Sequence, residues 1–538
     1  MTTSLSRYGD TMRRIAAPAA VCAAVLVASG CGGASPAAES QALTDGATFT
    51  FNIDADPGNL DPQAAANSWV QQLGRFGYDP LVQIDANGKI LPGLATAWAV
   101  EGNQVKLTLK KGVTCSDGTP FTAANVATNL AWVADPKNKS PLLGVYLPAG
   151  TKATADDTVG TVTMTAPRVG SFVLNGLAHL PMVCGKGLQD RKALAQGMVG
   201  TGPYTLTSVA ANDQYVFTKR DGYTWGPNGL STATKGLPQK VIAKIIPNPT
   251  TAANLLLSGG LNAATLIGPD VKRLQAANLF TAKMPLLVGE MWFNQAPGRP
   301  AADQSVREAL TRAVDLTQLA KVLTSGAGTP PTTLSSVVPL ACQGDSVGSV
   351  LPGHDLEKAK QLLDKAGWVA GADGVRAKAG KPLALTLSFN TAFGTGISAA
   401  AELATKTWTE LGVKITSKPQ DTSAINGALF GTGDWDIAWV GVGASSPDQL
   451  VPFVSGPVPP NGTNFGHIEN AAYSTAAAAA AKLQGTDSCD SWLKAEAKLV
   501  GDVDVVPFAN DVIQTFGKGA QFENLGGLVP TSIRMLAS

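Results

Sequence analysis

The sequence predicts an α/β protein built as two lobes with mixed sheets, and three observations carry that expectation. The chain has 538 residues, far above the size of one ordinary domain. Segments of period two and of period 3.6 interleave along its length instead of separating into blocks. Finally, 44% of the residues are apolar and the net charge is only +1, so large cores can form and disorder is excluded. With 41 Lys and Arg against 40 Asp and Glu there is no cationic excess to neutralise phosphates, and nucleic acid is not an expected partner.

The chain opens on a targeting segment. Arg13 and Arg14 precede the apolar or small stretch 15–30, which is too short to span a bilayer comfortably. Leu26-Val27-Ala28-Ser29-Gly30-Cys31 resembles the lipobox of bacterial lipoproteins. That resemblance implies a lipoprotein signal peptide over 1–30 and a lipid on Cys31; an ordinary signal peptide with an incidental Cys31 is the alternative. Residues 31–46 are rich in Gly, Ala, Ser and Pro and read as a flexible tether. No later stretch approaches the roughly 18 apolar residues of a membrane helix. The expected body is therefore soluble and extracytoplasmic, held by lipid to the outer face of the cell membrane, on the periplasmic side. Cys22 leaves with the signal, and four cysteines remain: Cys115, Cys184, Cys342 and Cys489. An even number in an oxidising compartment suggests two disulfides, with three connectivities open.

The elements follow in order. Thr48 to Ile53 alternates as a strand, and 56–62 is a turn cluster. Ser68 to Arg75 reads as a helix, and Leu81 to Ile84 and Gln104 to Leu109 as strands. Cys115 to Pro120 is a tight turn, after which Thr122 caps a helix carrying Val126 and Leu130 on one face. Thr158 to Thr165, Val199 to Ser208, Asp213 to Lys219 and Gln239 to Ile246 carry β patterns, and Pro249 to Leu257 is helical. The second half opens on a short apolar strand, Met291 to Asn294, then a helix from Ser305 to Val314 and another from His354 to Ala366, stopped by Gly367. Strands at Leu383 to Phe389, Gly412 to Thr416 and Trp435 to Val440 alternate with helices at Ala399 to Leu411 and Ala471 to Leu483. The boundary between lobes is expected near 270–290. Asp303 and Arg307 stand four apart, at ion-pair spacing on a helix.

Catalytic signatures are missing. There is no G-x-S-x-G, H-E-x-x-H or G-x-G-x-x-G, and Gly374 to Lys381 is one residue too long for a phosphate loop, with Pro382 in place of the Ser or Thr. His179, His354 and His467 are far apart, and a structural role is expected for each. No cysteine has the spacing of a metal site. The reading is a protein that is not an enzyme and takes no cofactor or metal.

Several segments together resemble the family 5 extracellular solute-binding proteins of ABC importers, the oligopeptide, dipeptide and nickel binders. They are Leu60-Asp61-Pro62, Tyr78 to Val82, Asp85 to Trp98, Lys110 to Ala123, Gly200 to Tyr204, Phe293-Asn294, Val306 to Leu310 and Ala359 to Gly367, in order from about 48 to 525. The resemblance implies a two-lobed type II periplasmic-binding-protein-like fold with three domains. Lobe one would be 47–285, with a smaller inserted domain at about 85–190. Lobe two would be 286–500, and 501–538 would return to lobe one. On that plan Cys115 pairs with Cys184 and Cys342 with Cys489. The implied function is capture of a peptide or similar amphipathic solute between the lobes and delivery to an ABC permease with its ATPase subunits, by a monomer. Alternatives are a non-peptide ligand (a metallophore, a haem-like molecule or a sugar), a lipid-anchored sensor or adhesion protein without transport, and an extracellular hydrolase.

The resemblance also points to ligand contacts. The loop after a Trp-bearing strand would line the cleft: Trp439, Val442, Gly443, Ser445 and, past Pro447, Asp448. Peptide-binding relatives carry an Asp for the peptide ammonium where this chain has Val442 and Gly443. Asp448 is then the nearest substitute, or the ligand is not held by an amine. Trp439 offers a stacking face and the Gly/Ser loop offers backbone donors and acceptors. Trp69, Trp292, Asn294, Asn464 and Phe465 complete the expected set.

Overall fold

The computed structural model describes residues 42–65, 68–266 and 270–537. The expected signal peptide, the expected lipobox with Cys31 and most of the expected tether lie outside the described residues. Within 42–537 a ten-stranded mixed sheet runs through the molecule. Its order is Lys414–Gln420, Ala384–Asn390, Ile437–Trp439, Phe280–Phe293, Val505–Gly517, Ala263–Leu266, Thr48–Ile53, Lys240–Ile245, Gln214–Lys219, Tyr204–Ala210. The two central strands are long and antiparallel, in register from Phe280 opposite Gly517 to Trp292 opposite Val505. One half of the pair continues into Ala263–Leu266 and the other into Ile437–Trp439. Register shifts at Leu287, Gly289 and Glu290 mark a bulge between the two halves.

Phe280–Phe293 corrects the short strand expected at Met291 to Asn294. Pro285 and Gly289 punctuate the segment as a break would. In the structure Pro285 sits opposite Val512 inside the ladder and Gly289 falls in the bulge, so the chain passes through where a boundary was expected. Arg307 brings a second correction. It pairs with Asp504 at 2.9 Å, while Asp303 caps its own helix by accepting from the Ser305 amide.

Residues 95–165 form a separate antiparallel sheet in the order Ala95–Glu101, Gln104–Leu109, Thr161–Thr165, Lys152–Asp156. Helix Ala123–Ala134 packs on it, opened by a reciprocal cap between Thr122 and Asn125. The main cores follow the sheets. Two gather residues from 49–282 and 520–535, and two gather residues from 286–509. Phe172 is the exception: it follows the small sheet in sequence but is buried with Trp292, Trp435 and Trp492 of the second set. Its neighbour Ser171 accepts from Trp492 Nε1 at 3.2 Å and from the Gly485 amide at 2.8 Å, and donates to the Ala480 carbonyl. The two sets therefore meet at the central strands and again at this clasp.

Both disulfides have the expected pairing, Cys115–Cys184 and Cys342–Cys489. The second fastens the long connection 324–355 to helix Cys489–Gly501. Gly200 and Gly202 are required by space: a Cβ on either would come within about 2.5 Å of Tyr78 or the Gly77 backbone. No helix of the described residues is long and apolar enough to cross a membrane.

Candidate functional site

Helix Ser68–Gly77 shows how the site is made. Val70, Leu73 and Phe76 point into the core, as an apolar stripe at helical spacing should. Gln71, Gly74 and Arg75, with Tyr78 just past the helix end, are spaced i, i+3, i+4 and i+7 and form the opposite stripe, which lines an open cavity of about 950 Å³. That volume suits a small organic ligand. Tyr146 and His179 add to the same wall, their rings stacked with centroids 5.2 Å apart. Phe280, Phe522 and Arg534 extend it. Across the cavity lie Val337, Val338 and Pro339, with Gly443, Ser445 and Gln449.

The charges on the first wall are unevenly satisfied. Asp79 is buried and accepts from Thr201 at 2.9 Å, Tyr223 at 3.0 Å and Trp225 at 3.1 Å. Burial still pushes its pKa up. Among the described residues the Arg75 guanidinium reaches only the Gly526 carbonyl, at 3.5 Å, and burial lowers its pKa. His179 Nδ1 faces the Asn175 carbonyl at 2.8 Å, so that nitrogen carries the proton. Burial, with help from Arg75, lowers its pKa and keeps the ring neutral.

The facing wall is fixed from behind. The Ser336 and Val337 amides donate to the Ala444 carbonyl, the Ala341 amide to the Ser445 carbonyl, and the Ser445 amide to Gln449 Oε1. The Val442 amide donates to Glu290 Oε2 at 2.9 Å. Glu290 is fully buried beside the bulge, and burial pushes its pKa up to about 8, with nearby Glu496 adding to the rise. Glu496 is itself buried and pushed up to about 7; it accepts from Ser346 Oγ at 2.7 Å. A smaller cavity of about 340 Å³ adjoins the first through Tyr146 and Gln449, with Asp448, Arg168 and Phe172 in its wall.

The expected contact residues divide sharply. Gly443 and Ser445 line the large cavity. Val442 is half-buried and packs on the core beside Trp292. The loop's backbone groups, expected to serve a ligand, largely bind their own neighbours. Asp448 lies in the smaller cavity, accepting from Ser446 Oγ at 2.5 Å and from the Phe172 amide, with burial raising its pKa. Trp439 offers no stacking face: it is 0% exposed, packed on Phe508 and Trp408 at 5.1 and 6.5 Å. Trp292 is buried with its N–H on the Val440 carbonyl, and Phe465 packs on Trp292 and Trp435. Asn294 holds the Gly433 and Trp435 carbonyls, and Asn464 those of Gly456 and Ile468. Trp69, on the first helix, donates its indole N–H to Asp54 just past the first strand and does not line this cavity. The sequence reading missed Arg75 and Tyr146 and gave His179 a structural role. The only available signal was the second polar stripe of the first helix, which reads like any solvated face. Among the described residues no three His, Cys, Asp or Glu side chains are grouped to hold a metal ion.

Comparison with known proteins fits this geometry. The chain is 28% identical over 388 residues to Protein XP55 of Streptomyces lividans, covering 68% of this chain and 67% of that one. It is 28% identical over 344 residues to the glutathione-binding protein GsiB of Escherichia coli O6:K15:H31, covering 62% and 63%. The matched segments thus span about two thirds or less of these relatives. A substrate-binding protein of Microbacterium hydrocarbonoxydans, crystallised with 4-hydroxybenzoate hydrazide, superposes with a TM-score of 0.67 at 25% identity, covering 91% of this chain and all of the other. Residues 89–456 match the sequence profile of the bacterial extracellular solute-binding proteins, family 5, and the chain belongs to that family.

Proposed function

We propose that this protein is the lipid-anchored, extracytoplasmic binding component of an ABC importer, which captures a peptide or a similar amphipathic solute and hands it unchanged to a permease. One observation carries the reading: the cavity of about 950 Å³ is walled on both sides of the central strand pair. A ligand touching both walls favours the closed arrangement over any open one by its differential contacts alone. The lobes proposed are 47–285 with 501–538, and 286–500, and the anchor is a lipid on Cys31. The glutathione-binding relative supports a peptide.

A second reading, a non-peptide solute, is favoured by Asp448. That carboxylate is already bonded to Ser446 and the Phe172 amide and lies outside the large cavity, so it is poorly placed to receive a peptide ammonium there. The hydrazide-bound neighbour supports this second reading. Native mass spectrometry of material purified from the source membrane tests both. A co-purifying peptide is expected under the first; an intact non-peptide solute sustains the second. Fragments released from added peptides would end the capture reading, and uptake unchanged on deleting the cognate permease would end the importer.

A further inference from the structure

We infer that the large cavity selects solutes bearing a carboxylate and that Arg75 is the residue that binds it. The inference rests on the capture reading above and names its ligand class. It starts from how this chain treats arginine elsewhere. Arg191, Arg299, Arg307, Arg312 and Arg376 each hold an Asp or Glu oxygen at 2.6 to 2.9 Å, and Arg273 holds Asp270 at 3.1 Å; Arg220 has no ion pair among the described residues but donates to Gly202, Thr114 and Cys115, and Arg168, on the smaller cavity, has no ion pair among them either. The two arginines of the large cavity hold none. Among the described residues no carboxylate lies within 4.0 Å of Arg75 or Arg534, and both make only backbone-carbonyl contacts: Arg75 to Gly526, Arg534 to Thr531 and Ile533.

A guanidinium carries five donors in a planar fork. Arg75 is half-buried, and holding its charge partly out of water without an anion is unfavourable; burial already lowers its pKa. The acidic groups on the same wall do not offset it. Asp79 is enclosed by Thr201, Tyr223 and Trp225, and Asp85 accepts the amides of Asn87 and Lys89 in its own turn. Glu523 is exposed and makes no ion pair among the described residues. Arg75 sits on the cavity-facing stripe of a helix whose other stripe is core, so its backbone is fixed before any ligand arrives. The titratable groups interacting with it are Tyr146 and His179. Neutral His179, with Nδ1–H committed to Asn175, has an acceptor nitrogen left, which suits a hydroxyl or N–H beside the carboxylate. A carboxylate on Arg75 takes two parallel charge-assisted bonds, the geometry this side chain binds best.

Calorimetry on the mature protein tests this with paired probes. One pair is a tripeptide pool with free C-termini against the same pool C-amidated; the other is aromatic and aliphatic monocarboxylates against their primary amides. In wild type the acid member of at least one pair binds about 10- to 100-fold tighter than its amide, and Arg75→Gln removes the preference. Which pair responds distinguishes a peptide carboxylate from that of a small organic acid. Arg75→Lys, which keeps charge but loses the fork, retains only part of the preference and controls for folding along with the thermal midpoint. Equal affinity for acid and amide in wild type, or an acid preference that survives Arg75→Gln, overturns the assignment while leaving capture intact. No binding of any acid probe also overturns it, and if every amide fails as well the capture reading falls with it.

Discussion

The two walls of the cavity solve the same problem differently. The wall drawn from residues before 281 and after 520 presents large side chains with chemistry of their own: Arg75, Tyr146, His179 and Arg534, with Arg75 carried on helix Ser68–Gly77. The wall drawn from 337–339 and 443–449 is loop and a short 3-10 turn, and it lines the cavity with Val337, Val338, Pro339, Gly443, Ser445 and Gln449, none of them charged. Its order comes from behind, through Glu290, the pinned carbonyls of Ala444 and Ser445, and the Cys342–Cys489 bond. The difference teaches that, on the capture reading proposed above, the first wall would discriminate between ligands and the second would supply position.

Trp439 is where that division is easiest to break. It is fully buried and lines neither of the two cavities described, so Trp439→Ala should cost about 3–5 kcal/mol of stability, read as a lower denaturant midpoint. A variant that keeps its midpoint but loses ligand affinity would return the ring to the binding surface.

Glu290 comes next. Its folded pKa, about 8, lies well above the ordinary carboxyl value, so the folded state holds a proton that the unfolded chain gives up. Its stabilising share is therefore full below about pH 4.5 and is lost as pH climbs towards 8. Glu496 acts in the same direction with its pKa near 7. Glu290→Gln keeps an acceptor for the Val442 amide and removes the titration. It should be more stable than wild type by about 1–3 kcal/mol at pH 8, with the advantage vanishing at pH 5. Melting curves across that range check it; parallel curves would mean that Glu290 stays charged.

The smallest effect expected is at the clasp. Ser171→Ala removes the acceptor of the Trp492 indole and the donor to the Ala480 carbonyl, for a loss of about 1–2 kcal/mol. Faster amide exchange at Gly485, with exchange in Gln104–Leu109 unchanged, would place the loss in the contact between the two sets of cores. Uniform acceleration would make Ser171 an ordinary folding contact.

Much of the fold was legible because period and punctuation act locally. Thr122 as a cap, Gly367 after its helix and the alternation of 104–109 each declare themselves within a few residues. Phe280–Phe293 was not legible, because a proline and a glycine inside a ladder look the same as a proline and a glycine in a linker. The site was less legible still. Whether Arg75 faces water or a cavity is decided by Gly526 and Gly527, about 450 residues away in sequence. Trp439 misled for a related reason. Its strand lies between two others and is covered on both faces, so the ring that looked available to a ligand was already enclosed by Trp408 and Phe508.

The paired strands 280–293 and 505–517 have a mechanical consequence. A connection made of single loops could swing in any direction, whereas two chains laddered together along their length resist sliding and splaying and yield mainly to torsion. On the reading proposed here, opening is a twist of that ribbon, concentrated where Leu287, Gly289 and Glu290 interrupt its ladder. The same few residues that interrupt the ladder also reach, through the Glu290 carboxyl, the loop that lines the large cavity.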